Sequence, residues 1–449
     1  MRFLAMRRLL AFGGSLIVSA AIAACGSSSS SSSASSSSNA AAATQAAASS
    51  SASTGAASTG ASSGSATAAA GTAPACVPPV PSSLPGDPDG VAASLTGAAR
   101  AAIGGYPGSV YKSPWSSFKP KHGPPWVIGL SNNEGNLNAV DVLKGLREEA
   151  ALNPGLVKKI LVTTPPTPND VPTQIQQMRS LVQQHVDLII STLGSPTALN
   201  AVIEQAASQD IPVISLLGQS TDKHAVNLQP NPIQLGYWGA RGLLTAMGTG
   251  TGNVLWVDGI PGLSIDTDIN RGAQEVFRAC KTNIVGTVVG KFDPTIAKTQ
   301  VLTFLSAHPG TINGVFQVSD MAPGIFSAFQ QVGRKVPPVD DIGAPAASLV
   351  YWKQHQSSGY KGSGVAIPAI KDGTYSMAVA LAMLEGDGIK ITDVPYAPPV
   401  ITDANLSQWI EPGWTASTNA LGDGPACAVP IKSLLATYFS KKPTINAAC

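Results

Sequence analysis

The sequence predicts an α/β protein with two doubly wound lobes, each built around a parallel sheet. Short apolar segments rich in β-branched residues alternate with segments of helical period along the body of the chain. That alternation is typical of parallel sheets. The series of strands starts near Trp126 and starts again near Asn253. About 375 residues remain after the N-terminal low-complexity part, enough for two cores of roughly 100–200 residues each.

The N-terminus has the pattern of a secretory signal. Three arginines among the first eight residues precede an apolar run over 9–24, which ends in two alanines before Cys25. The run is shorter than the roughly 20 apolar residues that span a bilayer, so residues 1–24 are predicted to be a signal peptide. The segment resembles a bacterial lipobox, which implies that Cys25 carries lipid. An ordinary signal peptide with a cysteine nearby is the alternative.

Residues 25–75 are predicted to form a flexible tether. Beyond Cys25 the sequence is almost only Ser, Ala, Gly and Thr as far as residue 73, without charge or large apolar side chains. Such a segment cannot offset the entropy lost when its backbone is ordered. As a flexible coil it has a mean reach of about 40 Å, so we expect it to hold a folded body clear of a membrane.

Charge and cysteine content exclude several classes of partner. The formal net charge is +2, and no Lys/Arg cluster follows the signal segment, so we expect no nucleic-acid partner. Four cysteines remain beyond Cys25, an even number that favours two disulfides in a secreted protein. Three pairings are open, of which we favour Cys76 with Cys280 and Cys427 with Cys449. The spacing fits no zinc motif, and we expect no metal and no cofactor.

Catalytic motifs are absent from the sequence. There is no Gly-x-Ser-x-Gly elbow, no His-Glu-x-x-His motif and no Walker loop, and the five histidines have no metal-ligand spacing. The glycine run at 248–252 precedes its strand, whereas a dinucleotide fingerprint follows one. We therefore expect a binding protein rather than an enzyme.

Individual elements follow from hydrophobic period and capping residues. We expect strands of the first series at 126–130, 159–162, 186–191, 212–216 and 226–228, and of the second at 253–258, 284–289, 314–318 and 364–367. Three helices are predicted to begin at a capping residue followed by proline, at Ser195, Asn231 and Asp293.

Four segments between residues 126 and 388 carry a family resemblance. They are Ile-Gly-Leu-Ser-Asn-Asn at 128–133, the stretch 174–215 with Val-Asp-Leu-Ile-Ile-Ser, the stretch 307–322 with Val-Ser-Asp-Met, and Ile-Lys-Asp-Gly at 370–373. In order and spacing they resemble type I periplasmic binding proteins of the ribose-binding, LacI-like group, the substrate-binding lipoproteins of sugar ABC transporters. The resemblance implies two lobes joined by a three-strand hinge that closes on a ligand in the cleft.

The resemblance also implies domain boundaries and a cellular setting. We expect an N-terminal extension at 76–125, a first lobe from 126–232 and 370–392, and a second lobe from 233–369 and 393–449 that includes a C-terminal extension. We expect a monomer, anchored by lipid to the outer face of the cytoplasmic membrane, with an ABC transporter permease as its partner.

Polar side chains after the predicted strands are the candidates for the ligand site, because open parallel sheets bind ligands at the carboxyl ends of their strands. They are Asn133, Glu134, Asn136, Ser195, Gln219, Asp266, Arg271, Asp320 and Asp372. Amides and carboxylates fixed in direction suit the hydroxyl groups of a polyol. Turn formation, helix capping and, for Arg271, pairing with Asp268 are the alternative roles.

Several positions depart from the sugar-binding pattern. Uncharged Leu217-Gly218-Gln219 stands where the ribose-type relatives have Asp-Arg, and Ala344 stands where they have a strand-end aspartate. A carbohydrate or sugar-like polyol is therefore our first choice of ligand, and another small polar solute, such as an amino acid or amide, is the alternative. A surface sensor that uses the same lobes without transport is a further alternative.

Overall fold

Two open sheets organise the part of the chain that the computed structural model describes, residues 72–167 and 169–449. The predicted signal peptide, Cys25 and nearly all of the predicted tether lie outside those residues. Across the described ranges, no helix is both long and apolar enough to cross a membrane.

The first sheet has five parallel strands in the order β2-β1-β3-β4-β5. Its strands are β1 Trp126–Ser131, β2 Val157–Thr163, β3 Leu188–Thr192, β4 Val213–Leu216 and β5 Ala225–Leu228. The helices of this part are α1 Gly97–Ile103, α2 Leu137–Leu152, α3 Val171–Gln183 and α4 Asn200–Ala207. The three strands β3, β4 and β5 are buried throughout, as their apolar sequences require in a sheet covered on both faces.

The second lobe also has a mainly parallel sheet, which is divided into two parts of three strands each. Its strands are β6 Asn253–Asp258, β7 Asn283–Val289, β8 Gly314–Gln317, β9 Asp340–Gly343, β10 Ser363–Ala366 and β11 Val400–Ile401, and its helices are α5 Pro232–Met247, α6 Ser264–Ala279, α7 Pro294–Ala307, α8 Ala322–Gln331 and α9 Ala346–His355. Two three-stranded sheets, β7-β6-β8 and β11-β10-β9, are linked by a parallel bridge between Val315 and Val339. All neighbours are parallel except β10 and β11.

Strand β9 was not predicted, because it contains two consecutive aspartates. Asp340 and Asp341 are 0% and 3% exposed. One oxygen of each accepts a hydrogen bond: the backbone N–H of Gln317 donates to Asp340 Oδ1 at 2.7 Å, and the Ser348 hydroxyl donates to Asp341 Oδ2 at 2.6 Å. The other oxygen of each acid is buried without a partner. The two-residue strand β11 was also not predicted, since it is too short to show a period.

Three crossings join the lobes, as expected. After β5 the chain crosses at 229–231 into α5, whose apolar face belongs to the core of the second lobe. After β10 it crosses at 367–368 into helix α10, Ala369–Leu384, which is buried in the core of the first lobe. Residues 393 and 396 form bridges beside β5 before the chain reaches β11.

In each lobe, the helix after the first strand packs against a helix entered from the hinge, and glycine permits the approach. A Cβ atom on Gly145 of α2 would overlap the carbonyl oxygen of Ile370 in α10. In the same way, a Cβ atom on Gly272 of α6 would overlap the carbonyl oxygen of Ile233 in α5. These contacts fix the two helix pairs at backbone distance on either side of the hinge.

The C-terminal extension does not follow the expected assignment of 393–449 to the second lobe. Strand β11 and the nearby Leu406 and Trp409 pack on the second lobe, but helix α11, Ile431–Tyr438, lies in the core of the first lobe. The reason is the apolar face of α11, which packs against α1 and α10. The N-terminal extension contributes Ile103 and neighbouring apolar residues to the same core.

Two disulfides fix the extensions, in the pairing that the sequence favoured. Cys76 pairs with Cys280, at the end of α6, across 204 residues. Cys427 pairs with Cys449 across 22 residues and closes the C-terminal loop that carries α11. The first disulfide ties the start of the N-terminal extension to the second lobe, although α1 packs in the first.

Candidate functional site

The loops after the strands contain several of the predicted site residues, whereas Asp266, Arg271 and Asp372 lie on helices. The strand order reverses once in each sheet, between β1 and β3 and between β6 and β8. Open parallel sheets bind ligands in the crevice at such reversals, where loops and helix N-termini present free polar groups. Glu134 follows β1, Ser195 follows β3 and Asp320 follows β8.

The charge of Glu134, in the loop after β1, acts on Asp320, in the loop after β8. Burial raises the pKa of Asp320 to about 6, and the negative charge of Glu134 adds to this shift. Glu134 is half-buried, and burial raises its own pKa as well.

Some of the buried polar atoms without a hydrogen-bond partner lie at these strand ends. They include Asn132 Oδ1, Ser319 Oγ and Asp320 Oδ1. The backbone is also strained there, since Leu217, Asp320 and Ala344, each just beyond a strand, have φ of 54°, 62° and 57°. Each unsatisfied buried group costs about 1–3 kcal/mol, and strain of this kind is typical of ligand sites.

Asn133 and Asn136 hold the loop after β1 in place. Asn133 Oδ1 accepts a hydrogen bond from the Thr192 hydroxyl at 3.1 Å, and its Nδ2 donates to Asn169 Oδ1 at 3.1 Å. Asn136 caps α2, because its Oδ1 accepts from the backbone N–H of Ala139 at 3.0 Å. Its Nδ2 donates to Glu134 Oε1 at 2.8 Å, so Asn136 also orients the carboxylate of Glu134.

Ser195 and Gln219 follow β3 and β4. The Ser195 hydroxyl accepts from the backbone N–H of Ala198 at 3.2 Å, but α4 begins only at Asn200. The predicted helix start at Ser195 is therefore wrong, and the residue caps a turn instead. Gln219 is half-buried and donates through Nε2 to Asp393 Oδ1 at 3.2 Å.

Asp266 and Arg271 lie on α6 of the second lobe. Asp266 is buried, accepts from the backbone N–H of Gly259 at 3.0 Å and thereby shapes the loop after β6. Burial raises its pKa to about 7, and the charge of Asp258 adds to the effect. Arg271 is exposed and lies 3.4 Å from Asp268, so the structure shows the pairing that was its alternative role.

Asp372 lies at the start of α10, below the hinge. It is fully buried, and the Tyr396 hydroxyl donates to its Oδ1 at 2.7 Å, while Oδ2 has no partner. Burial raises the pKa of Asp372 to about 8, with a further contribution from the charge of Asp423. The neighbouring Lys371 forms a largely buried ion pair with Asp423 at 2.7 Å.

A family model for the periplasmic binding protein domain matches residues 128–388. That match covers more than half of the chain and spans both sheets apart from β11. This chain belongs to the periplasmic binding protein family. The fold, the hinge and the cleft described above are thus those of a solute-binding protein.

Known proteins agree with this assignment. The chain is 28% identical over 252 residues to the xylitol-binding protein of Mycolicibacterium smegmatis, covering 54% of this chain and 69% of that protein. An ABC transporter solute-binding protein from Thermobispora bispora matches with a TM-score of 0.58 at 25% identity, over 67% of this chain and 90% of that one. A Bacillus halodurans homologue with bound myo-inositol shares the fold, with a TM-score of 0.57 at 20% identity over 64% and 98% of the two chains.

Several polar residues of the hinge were not predicted as part of the site. Asp393 is almost fully buried and binds Gln219 and Asn227, and Gln229 Nε2 donates to the Tyr106 hydroxyl at 3.1 Å. Tyr106 and Asp393 lie outside the matched family domain. The only signal in the sequence was an isolated acid within the apolar stretch around 389–396, which does not specify its partner.

Other parts of the described chain offer no comparable site. Two surface cavities, of about 430 and 170 Å³, lie away from the cleft, beside Arg278 and beside Asp187. Neither is lined by any of the unpartnered buried atoms. Within the described residues, no group of three or more His, Cys, Asp or Glu side chains is arranged to hold a metal ion.

Proposed function

We propose that this binding protein captures a sugar or sugar-like polyol between its lobes and delivers it to an ABC importer. The observation that carries the proposal is the set of unpartnered polar atoms on Asn132, Ser319 and Asp320 at the strand ends. The amide and carboxylate oxygens require hydrogen-bond donors, and every hydroxyl group of a polyol supplies one. A dry site matched to hydroxyls rejects analogues that leave these atoms unpaired.

The charges of the cleft favour a neutral ligand. The charge of Glu134 acts on Asp320, while the two basic residues beside the predicted site residues are already paired, Arg271 with Asp268 and Lys371 with Asp423. A ligand carboxylate would meet these acids, and neither Arg271 nor Lys371 is free to neutralise it. An amino acid, the alternative ligand, is therefore less suited to the site than an uncharged polyol.

The composition of the first-lobe loops favours an open-chain polyol within that class, whereas in the second lobe Phe292 follows β7 and lies against Gly259. The first-lobe loops at 132–136, 193–195 and 217–220 contain no aromatic residue. A cyclic sugar gains from an aromatic face against its ring, whereas a linear polyol presents hydroxyl groups along its length. The relative named for xylitol binding supports the same choice.

Titration calorimetry with a panel of solutes tests the proposal. We expect xylitol or another polyol of the panel to bind with one ligand per chain and a dissociation constant in the micromolar range or below, about −8 kcal/mol. The panel should include myo-inositol, D-arabinose and glutamine. Binding of glutamine without binding of any polyol would contradict the proposal.

We further propose that the protein acts as a monomer on the outer face of the cytoplasmic membrane, anchored through lipid on Cys25 and in contact with a permease. The pattern of residues 1–25 supports the anchor. Cys25→Ser should release the protein from the membrane fraction into the medium, and retention of the variant would show that the anchor lies elsewhere. A histidine kinase rather than a permease among its binding partners would favour the sensor alternative.

A further inference from the structure

Asp393 is the centre of a polar network where the third crossing leaves the first lobe. Its Oδ1 accepts from Asn227 Nδ2 at 3.0 Å and from Gln219 Nε2 at 3.2 Å, and its Oδ2 accepts from the Thr392 hydroxyl at 2.7 Å. Asp393 is 1% exposed. Backbone hydrogen bonds of 2.8 Å on both sides, from Asn227 to Thr392 and from Val394 to Asn227, fix its position beside β5.

This carboxylate determines which end of the Gln219 amide faces the hinge. An ionised carboxylate accepts hydrogen bonds and donates none. The amide nitrogen of Gln219 must therefore point toward Asp393, and its carbonyl oxygen must point away. Gln219 follows β4 and is two residues beyond Leu217, whose φ is 54°. The residue that Asp393 orients therefore belongs to one of the strained strand ends of the cleft.

We propose that Asp393 is a positioning residue of the ligand site, which holds the Gln219 carbonyl oxygen ready to accept a hydroxyl group of the ligand. The inference rests on the proposed function. Asp393 belongs to the chain beyond the matched family domain, which ends at residue 388. The C-terminal extension then does more than stabilise the first lobe, since it fixes the direction of one polar group in the cleft.

The N-terminal extension supports the same network. The Tyr106 ring is buried, and its hydroxyl accepts a hydrogen bond from Gln229 Nε2 at 3.1 Å. Burial raises the pKa of the Tyr106 phenol, and the negative charges of Asp393 and Asp268 raise it further. Gln229 belongs to the first crossing, so Tyr106 lies against the hinge. Both extensions therefore contribute to the hinge end of the cleft.

Xylitol binding by calorimetry at pH 7.5 tests this role with four variants. Asp393→Ala should weaken binding about tenfold, and Asp393→Asn should restore most of it, because its amide oxygen still accepts from Gln219. Gln219→Ala should weaken binding by a similar factor, and adding Asp393→Ala to it should weaken binding no further. Asp340→Asn, an equally buried acid in the second lobe, should leave the affinity unchanged.

Gln219→Glu tests the hydrogen bond between Gln219 and Asp393 directly. It keeps an oxygen acceptor but removes the donor that Asp393 binds, so we expect a loss of affinity as large as with Gln219→Ala. Unchanged affinity in Gln219→Glu would overturn the proposal. So would an equal fold-loss from Asp393→Ala with and without Gln219 present, which would indicate a purely structural role.

Hydrogen exchange measured without ligand tests the positioning role of Asp393 independently of the proposed polyol binding. In protein labelled with ¹⁵N-glutamine, the side-chain amide protons of Gln219 should be protected from solvent exchange, and Asp393→Ala should abolish that protection. If the wild-type protein binds no polyol, the proposed function fails while this measurement still decides the positioning role. Identical exchange in wild type and variant would overturn it.

Discussion

Asp320 combines a left-handed backbone, an unpartnered buried carboxyl oxygen and a raised pKa in a single residue. None of these properties stabilises the ligand-free protein. Asn136, predicted from the same strand-end rule, instead forms three hydrogen-bonding links that hold a loop and a helix. The two residues therefore differ in role, although the sequence placed both in the cleft.

Substitution separates these roles. Asp320→Gly removes the acceptor and suits the positive φ, so we expect xylitol affinity to fall by about 1–3 kcal/mol while the melting temperature stays constant or rises. Asn136→Ala should instead lower the free energy of unfolding by about 1 kcal/mol through the lost cap. Calorimetry and thermal melts measure both effects. A lower melting temperature with unchanged affinity in Asp320→Gly would remove Asp320 from the site.

Buried acids make stability depend on pH. Burial raises the pKa values of Asp341 and Asp372 to about 8, whereas in the unfolded chain they ionise near pH 4. The folded protein thus keeps protons that the unfolded chain releases, and the stability that they contribute is lost as the pH rises from about 4 to 8. Asp372→Asn should make the decline shallower, by up to about 1.4 kcal/mol per pH unit.

Urea melts at pH 5, 7 and 9 measure that slope for wild type and variant. Asp210→Asn, an exposed acid, serves as the control and should leave the slope unchanged. Parallel wild-type and Asp372→Asn curves would mean that Asp372 is ionised in the folded protein.

At the scale of elements, periodicity and capping predicted most of the fold. The expected strand at 253–258 coincides with β6, and the caps at Asn231 and Asp293 accept backbone hydrogen bonds as predicted. The prediction missed strand β9, because its residues are polar in sequence but buried in the folded protein. The acids of β9 resemble a loop in sequence, but each accepts one hydrogen bond in the folded protein, from Gln317 and from Ser348.

The paired helices depend on their glycines. In Gly272→Ala the new methyl group meets the carbonyl oxygen of Ile233, so α5 and α6 must separate; we expect a loss of about 1–3 kcal/mol in the free energy of unfolding. Gln274→Ala, on the exposed side of the same helix, should have little effect or stabilise slightly. Denaturant titrations compare the two, and equal stabilities would show that the helix contact adapts without strain.

At the scale of the whole molecule, the rule that ligands bind at the carboxyl ends of parallel strands predicted candidate residues of the cleft. It did not predict the polar contacts of the hinge. Glu134, Gln219 and Asp320 could be placed from one sequence because each directly follows a strand. The bond between Gln219 and Asp393 joins residues 174 positions apart. No local period encodes such a contact, and the segments that supply Tyr106 and Asp393 lie outside the domain that carries the family resemblance.

The two disulfides should differ in their effect on stability. Cys76–Cys280 closes a loop of 204 residues and Cys427–Cys449 one of 22, so loop-closure entropy predicts about 2 kcal/mol more destabilisation when the longer link is removed. Replacing each pair by serine and measuring denaturant unfolding tests this. Thiol titration of the denatured, unreduced wild type should detect none of these four cysteines. Equal losses from both double variants would contradict the entropic account.

The division of the first lobe along the chain determines the order in which its parts become available. Its sheet ends at Leu228, yet α10 and α11 come from residues beyond 368 and beyond 430. A ribosome makes the N-terminal end first, so the apolar face of α1 stays uncovered until α11, residues 431–438, has been synthesised. A nascent or truncated chain that lacks the last helix therefore exposes that face to proteases and chaperones, while the second lobe, built mainly from the continuous stretch 232–366, is already complete.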